Sequence, residues 1–287
     1  MGARSRSGFE TTGSRVRNRR DGCRIAAAVG AGPDGILRSA TVLKDAATLL
    51  QSFAGKSISA KMTESSSRKL IIAIDGPAGA GKSTIASRLA RKLDYTSLES
   101  GAMYRALALK AILADVSFED EAELLKLAQN SQIELEPAAN GNRVLLDGQE
   151  VTGRVRERDV SEAASRVSVH PKVREWMIKR QQEMGANGGV VMEGRDIGTK
   201  VFPNADVKIF LDADPVERER RRLRQQTVTG TAAELAVQEL RLRDRRDRNR
   251  ATSPLVAAPD ALILDSTNMS EEEVLRRVEQ AVREKLG

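Results

Sequence analysis

An α/β fold, a parallel β-sheet flanked by helices, is what this sequence predicts, on three observations. The apolar run Leu70-Ile71-Ile72-Ala73-Ile74 leads through a glycine-rich loop, Gly76 to Thr84, straight into the helical pattern Ile85-Ala86-Ser87-Arg88-Leu89-Ala90. Strand-like and helix-like segments then alternate along most of the chain, which is the signature of βα repetition. Finally, 287 residues with 40% hydrophobic and 30% charged side chains suffice for one large domain with a full core, an inserted subdomain and a tail.

In order, Leu70 to Asp75 reads as a buried strand, Lys82 to Leu93 as a helix, Tyr95 to Leu98 as a short strand, and Ala102 to Ala114 and Glu119 to Gln129 as helices. The pattern then changes. Gln132 to Leu135, Arg143 to Leu146 and Gln149 to Val151 read as short strands with hairpin turns at Asn140-Gly141 and Asp147-Gly148, so a small antiparallel insert interrupts the βα order. Helices follow at Val160 to Val167 and at Pro171 to Met184, where the proline suits a first helical position. The βα order resumes with strands Val190 to Glu193, Val207 to Leu211 and Ala261 to Leu264, the basic helices Val216 to Gln225 and Ala232 to Arg250, and a closing amphipathic helix, Glu271 to Leu286.

The net charge of +7 and pI near 9.7 suggest nucleic acid or a membrane surface until the charges are located. Residues 1–61 carry 11 basic and 4 acidic side chains, and the remainder carries 36 of each. The basicity therefore belongs to the N-terminal tail, and with only 3% aromatic residues the rest offers few stacking platforms for single strands. Residues 1–67 read as a basic, disordered extension rich in Arg, Ser, Gly, Thr and Ala. Its Arg/Ser-rich, acid-poor start resembles an organelle transit peptide, but Met62 opens a short polar lead-in to the first strand and is preferred as the start. Cys23, the single cysteine, lies in that tail, which excludes intrachain disulfides and fits a reducing compartment. No apolar run approaches the roughly 20 residues of a membrane span.

Gly76-Pro77-Ala78-Gly79-Ala80-Gly81-Lys82-Ser83-Thr84 is a G-x-x-x-x-G-K-S motif in strand–loop–helix context. It predicts a P-loop: backbone N–H groups converge on phosphate oxygens, the helix adds its positive end, Lys82 reaches the terminal phosphates and Ser83 holds Mg²⁺. This fixes triphosphate binding and leaves its use open. Two further loops at strand ends, Ser100-Gly101-Ala102-Met103-Tyr104-Arg105 and Glu193-Gly194-Arg195-Asp196-Ile197-Gly198-Thr199, should face the same cleft, since ligands of open α/β sheets bind outside the strands' C-terminal ends. Arg218, Arg221, Arg222 and Arg224 form a basic cluster, and Arg243, Asp247 and Arg250 share one helix face. For any single arginine a solvated, ion-paired surface is the plainer reading. As a set they suit the spread charge of a γ-phosphoryl group in transfer. Ser165 and Arg174 are weak candidates alone, His170 reads as a loop or packing residue, and Trp176 as core.

These motifs, with Arg243-Asp244-Arg245-Arg246-Asp247-Arg248-Asn249-Arg250, resemble in order those of the bacterial cytidylate kinase family, from about Leu70 to the C-terminus. The resemblance implies a P-loop NTPase-type domain over residues 68–287, with a nucleoside-monophosphate-binding insert at about 130–185 and an Arg-rich helical lid at about 215–245. It implies transfer of the γ-phosphate of ATP to CMP or dCMP, with Mg²⁺, in a cytoplasmic monomer without nucleic-acid or membrane partners. Lys82, Arg195, Arg243 and Arg250 would be catalytic. Arg105, Arg195, Arg243 and Arg250 would contact the acceptor's phosphate or sugar, Asp247 a ribose hydroxyl, and Ser165, Arg174 and Asp196 the cytosine edge, with Ser100 and Tyr104 in the same pocket. Arg218, Arg221, Arg222 and Arg224 would belong to the lid over ATP. Two rival readings are a P-loop kinase for UMP, AMP or a metabolite, and a nucleotide-dependent switch whose tail binds nucleic acid.

Overall fold

The computed structural model describes residues 69–138 and 141–286, so the expectations for the tail, and Asn140 of the first hairpin, lie outside the described residues. Five parallel strands form the central sheet in the order β2-β6-β1-β7-β8: β1 (Ile71–Asp75), β2 (Thr96–Glu99), β6 (Val190–Gly194), β7 (Val207–Asp212) and β8 (Leu262–Asp265). β1 lies between β6 and β7, with Asp75 level with Gly194 on one side and Phe210 on the other. The loop after β1 therefore emerges between the ends of β6 and β7, where an open parallel sheet places its ligand.

Alternation along β1 sends Ile72 and Ile74 to one face and Ala73 to the other, all fully buried. The Ile72/Ile74 face is covered by α1 (Lys82–Leu93) through Ile85 and Leu89 and by α8 (Glu271–Leu286) through Val274, Leu275 and Val278. The Ala73 face is covered by α2 (Ser100–Leu113). Ala102, Met103, Ala106, Leu107, Ala108 and Leu109 are all buried, so α2 is apolar nearly all round. A polar stripe is not wanted, because it is sandwiched between the sheet and α4 (Arg158–Val167).

α3 (Glu121–Gln129) begins two residues later than the sequence suggests, because the Asp120 carboxylate caps it, accepting from the Glu123 N–H at 3.1 Å. α2 begins two residues earlier, at Ser100, directly after β2. The insert is a three-stranded antiparallel sheet of β3 (Ile133–Ala138), β4 (Gly141–Leu146) and β5 (Gln149–Glu150). Asn142 moors it to the main sheet: its side chain accepts from the Glu99 N–H at 2.9 Å and donates to the Ser97 carbonyl at 2.7 Å. α5 (Pro171–Gly185) starts on the expected proline, and the His170 ring nitrogen Nε2 lies 2.7 Å from the Phe118 carbonyl, a packing role. Trp176 packs against the core from its rim, half-buried, where the sequence suggested core.

Two basic helices follow, α6 (Pro215–Gln226) and α7 (Thr231–Asn249). A π-helical turn at Ile197–Val201, which the sequence reading treats as loop, follows β6. Among the described residues no helix is long and apolar enough to cross a membrane.

Candidate functional site

A cavity of about 330 Å³ opens at the C-terminal ends of β1, β2 and β6, a size typical of small-molecule sites. One wall is the loop 76–84. Gly76 sits at φ +148°, and a Cβ there would lie 1.9 Å from the Leu211 carbonyl oxygen, so no other residue fits against β7. Gly81 caps α1 at φ +96° without a side-chain hydrogen bond, which leaves the helix's first N–H groups open to the cavity. Lys82 donates to the Pro77 carbonyl at 2.8 Å and lies 4.0 Å from Glu193. Burial, then the Arg195 charge, push its pKa down to about 7. An ammonium held in that environment gains strongly from an arriving phosphate.

The opposite wall is cationic. Arg105 pairs with Glu99, and its buried Nε has no hydrogen-bond partner among the described residues. Arg195 donates from Nε to Asp247 at 2.9 Å, and Asp247 also faces Arg250 at 3.7 Å. Burial works to raise the Asp247 pKa, but Arg195, Arg243 and Arg250 outweigh it and hold the carboxyl below its ordinary value. Arg243 and Arg222 line the cavity and form no hydrogen bond or ion pair among the described residues. Burial and the neighbouring Arg195 bring Arg243 down to about 10. Such unpartnered guanidiniums are ready-made phosphate ligands.

Deeper in, Arg174 pairs with Asp196, both buried, and its guanidinium lies 5.5 Å above the Tyr104 ring. Burial pushes the Tyr104 hydroxyl up to about 12, and it has no hydrogen-bond partner among the described residues. Arg250 donates to the Ser253 carbonyl, and its Nη2, ion-paired with Asp196 at 3.8 Å, makes no hydrogen bond among the described residues. A flat, polar ligand edge would satisfy several of these orphaned atoms together.

Most of the expected residues thus converge: Gly79, Gly81, Lys82, Ser83, Thr84, Ser100, Tyr104, Arg105, Arg174, Arg195, Asp196, Arg222, Arg243, Asp247 and Arg250 line one cavity. Ser165 lies in an adjoining pocket of about 90 Å³, where its hydroxyl accepts from Arg246 at 3.4 Å. The basic cluster on α6 divides. Arg218 donates to the Ala213 and Ala78 carbonyls at 3.0 and 3.2 Å and pairs with Asp244 of α7. Arg221 binds Ser266 and reaches the Ala80 carbonyl at 3.4 Å. Both grip the outside of the P-loop, while Arg224 pairs with Glu217 at the surface and Arg222 alone of the four faces the cavity.

The sequence reading did not assign Glu99, Glu193 or Arg156, which also line the cavity. Glu99 is the last residue of β2 and Glu193 the last but one of β6, which was a usable signal; Arg156, on a short 3₁₀ turn of the insert (Arg154–Arg156), carried none. The Ser83 hydroxyl donates to Glu193 at 2.7 Å. A hydroxyl beside a carboxylate is a hard-oxygen pair of the kind Mg²⁺ uses alongside water and phosphate oxygens, so these residues fit the ion.

With a triphosphate loop on one wall and unpartnered guanidiniums on the other, the cleft has the makeup of a P-loop kinase acting on a small phosphorylated substrate. The cytidylate kinase family model matches residues 72–284. Proteins named cytidylate kinase from Geobacillus kaustophilus (strain HTA426) and Pasteurella multocida (strain Pm70) are 48% and 45% identical over 222 residues, covering 77% of this chain and 99% and 98% of theirs. The chain belongs to the cytidylate kinase family.

Proposed function

We propose that this chain transfers the γ-phosphoryl group of ATP to CMP or dCMP, giving ADP and CDP or dCDP. The observation that carries the reading is the two-walled cavity, in which Lys82 and the open start of α1 face Arg105, Arg195 and Arg243 across one space. The loop 76–84 takes the ATP phosphates through its backbone N–H groups, and Lys82 leaves its Pro77 contact to bind the terminal ones. Ser83 and Glu193 would hold Mg²⁺, which neutralises charge on the phosphates when bound.

The acceptor phosphate is gripped by Arg105 and Arg195, its sugar by Asp247, and the cytosine edge by Arg174 and Asp196. Ser165 joins that edge if α4 moves it in from the side pocket. The attacking oxygen is already an anion, so the residues have no proton to remove; they hold the two phosphates in line and spread positive charge around the moving group. Arg222 and Arg243 are placed for that, lacking any other partner. Arg218 and Arg221 act at one remove, by fixing the P-loop carbonyls outward. We read 130–185 as the acceptor insert, 215–245 as the lid, and the protein as a cytoplasmic monomer that binds no nucleic acid.

The test is an ADP-release assay with ATP, Mg²⁺ and a panel of CMP, dCMP, UMP and AMP, run on the full chain and on residues 62–287. CMP and dCMP should be turned over fastest by both. Preference for UMP or AMP would overturn the acceptor assignment, and loss of activity on truncation would overturn the reading of the tail as dispensable.

A further inference from the structure

We infer that Asp75 is a positioning residue, a buried carboxylate that sets the distance between the donor loop and the acceptor arginine. The inference rests on the reading above, in which Arg195 and Asp196 hold the acceptor. Asp75 is the last residue of β1, directly before Gly76, and is 4% exposed. It enters none of the binding steps, yet it spans the site: its two oxygens accept the N–H groups of Ile197 at 2.8 Å and Gly198 at 2.7 Å. Those are the first amides of the π-helical turn that follows Arg195 and Asp196, the N–H groups that a helical start leaves without an internal partner. A carboxylate taking both makes two charge-assisted bonds in a dry setting.

The far end of the same segment is pinned independently. Gln182 donates to the Val201 carbonyl at 2.9 Å, and Lys208 donates to the Pro203 carbonyl and to Asp260. The turn also leaves no slack beside Asp75, since a Cβ at Gly198 would sit 3.3 Å from Asp75 Oδ2 and equally close to the Lys208 chain. Arg195 is therefore carried on a short rigid strut whose near end is bolted to the strand residue that leads into the P-loop. Asp75 ties the strut's amides to the strand on which the donor loop is built, and so holds constant the gap across which the phosphoryl group moves. The donor loop has separate supports, Lys82 to Pro77 and Arg218 to Ala78, so loosening the Asp75 bonds should be felt on the acceptor side.

The experiment compares Asp75→Asn, Gly198→Ala and the double variant with the full-length wild type, by steady-state kinetics in both substrates alongside thermal melts. Asparagine keeps one acceptor oxygen and turns an amide donor toward an N–H; the alanine methyl crowds the same bond from the other end. A displacement of roughly 1 Å in a reacting group costs about 100-fold in rate. We expect kcat to fall about 10- to 100-fold in each single variant, with acceptor KM raised and ATP KM within about twofold of wild type. The double variant should lose much less than the product of the two losses, because both act on one bond. Wild-type kcat in a folded variant, ATP KM rising as far as acceptor KM, or fully multiplicative losses would each overturn the proposal. If Asp75→Asn does not fold, Gly198→Ala decides it by the same readouts. The acceptor used is whichever monophosphate the wild type turns over fastest, so an error in the nucleotide assignment shows in the wild-type arm and leaves the comparison intact.

Discussion

Lys82→Ala should reduce turnover by about three orders of magnitude, the scale of removing a preorganised charge from a developing anion, while CMP affinity stays close to wild type. The reason is geometric. Lys82 is buried at the base of the donor loop, held by Pro77 and near Glu193, and it feels the acceptor-side Arg195 and Arg243 only through their charge, with no hydrogen bond or ion pair to them. Its charge is disfavoured in the empty cleft and favoured once phosphates arrive, so its contribution is concentrated in the loaded site and the transition state. Steady-state kinetics with calorimetric CMP titration check this. A variant with normal kcat, or one that loses CMP binding as severely as turnover, would refute the assignment.

The second large effect is expected on stability. Arg174 and Asp196 form an ion pair in which both side chains are under a tenth exposed, closed in by Tyr104 and Arg250. Breaking a buried pair from one side leaves a charge without compensation and costs about 3–5 kcal/mol. Asp196→Ala strands Arg174 with the Ser168 carbonyl as its remaining acceptor, and denaturant unfolding should show a loss in that range. Pairing it with Arg174→Met should recover much of the stability, since an apolar replacement of a buried pair is often neutral, without recovering CMP turnover. A single-variant loss under about 1 kcal/mol would show that water reaches the pair and screens it.

The two variants separate the parts of this enzyme by how far each could be read from sequence. The strand–loop–helix at residues 70–93 was legible, because a strand, a glycine run and a Lys-Ser helix start lie within 15 consecutive residues and their signals are local. The order of strands and helices was legible too, with ends shifted by one to three residues, as where β3 runs on to Ala138 and where the Asp120 cap starts α3. The residues opposite the loop were named through their motifs, with roles implied by the resemblance, yet which partners each side chain meets was not visible. Arg218 and Arg222 are one helical turn apart in a single basic run, and one binds the Ala78 carbonyl behind the P-loop while the other faces the cleft unpaired. They share one face of α6, and what distinguishes them is what the fold brings against each: the Ala78 and Ala213 carbonyls and Asp244 against Arg218, the open cavity against Arg222. Glu193 could be placed at a strand end from sequence, but its contact with the Ser83 hydroxyl joins residues 110 apart in the chain.

The sequence by itself determined that this protein folds as a parallel α/β domain, carries a G-x-x-x-x-G-K-S motif at residues 76–84, belongs with enzymes that phosphorylate a cytidine monophosphate, and carries its excess charge in its first 61 residues. Only the tertiary structure decided which arginines line the cavity, which brace the loop 76–84 from outside, and that Asp75 accepts from the Ile197 and Gly198 N–H groups. The division follows from the reach of the interactions. Glycine freedom, helix dipoles and capping act over a few residues and are written in the local string, whereas ion pairing and burial depend on which strand ends the sheet brings side by side.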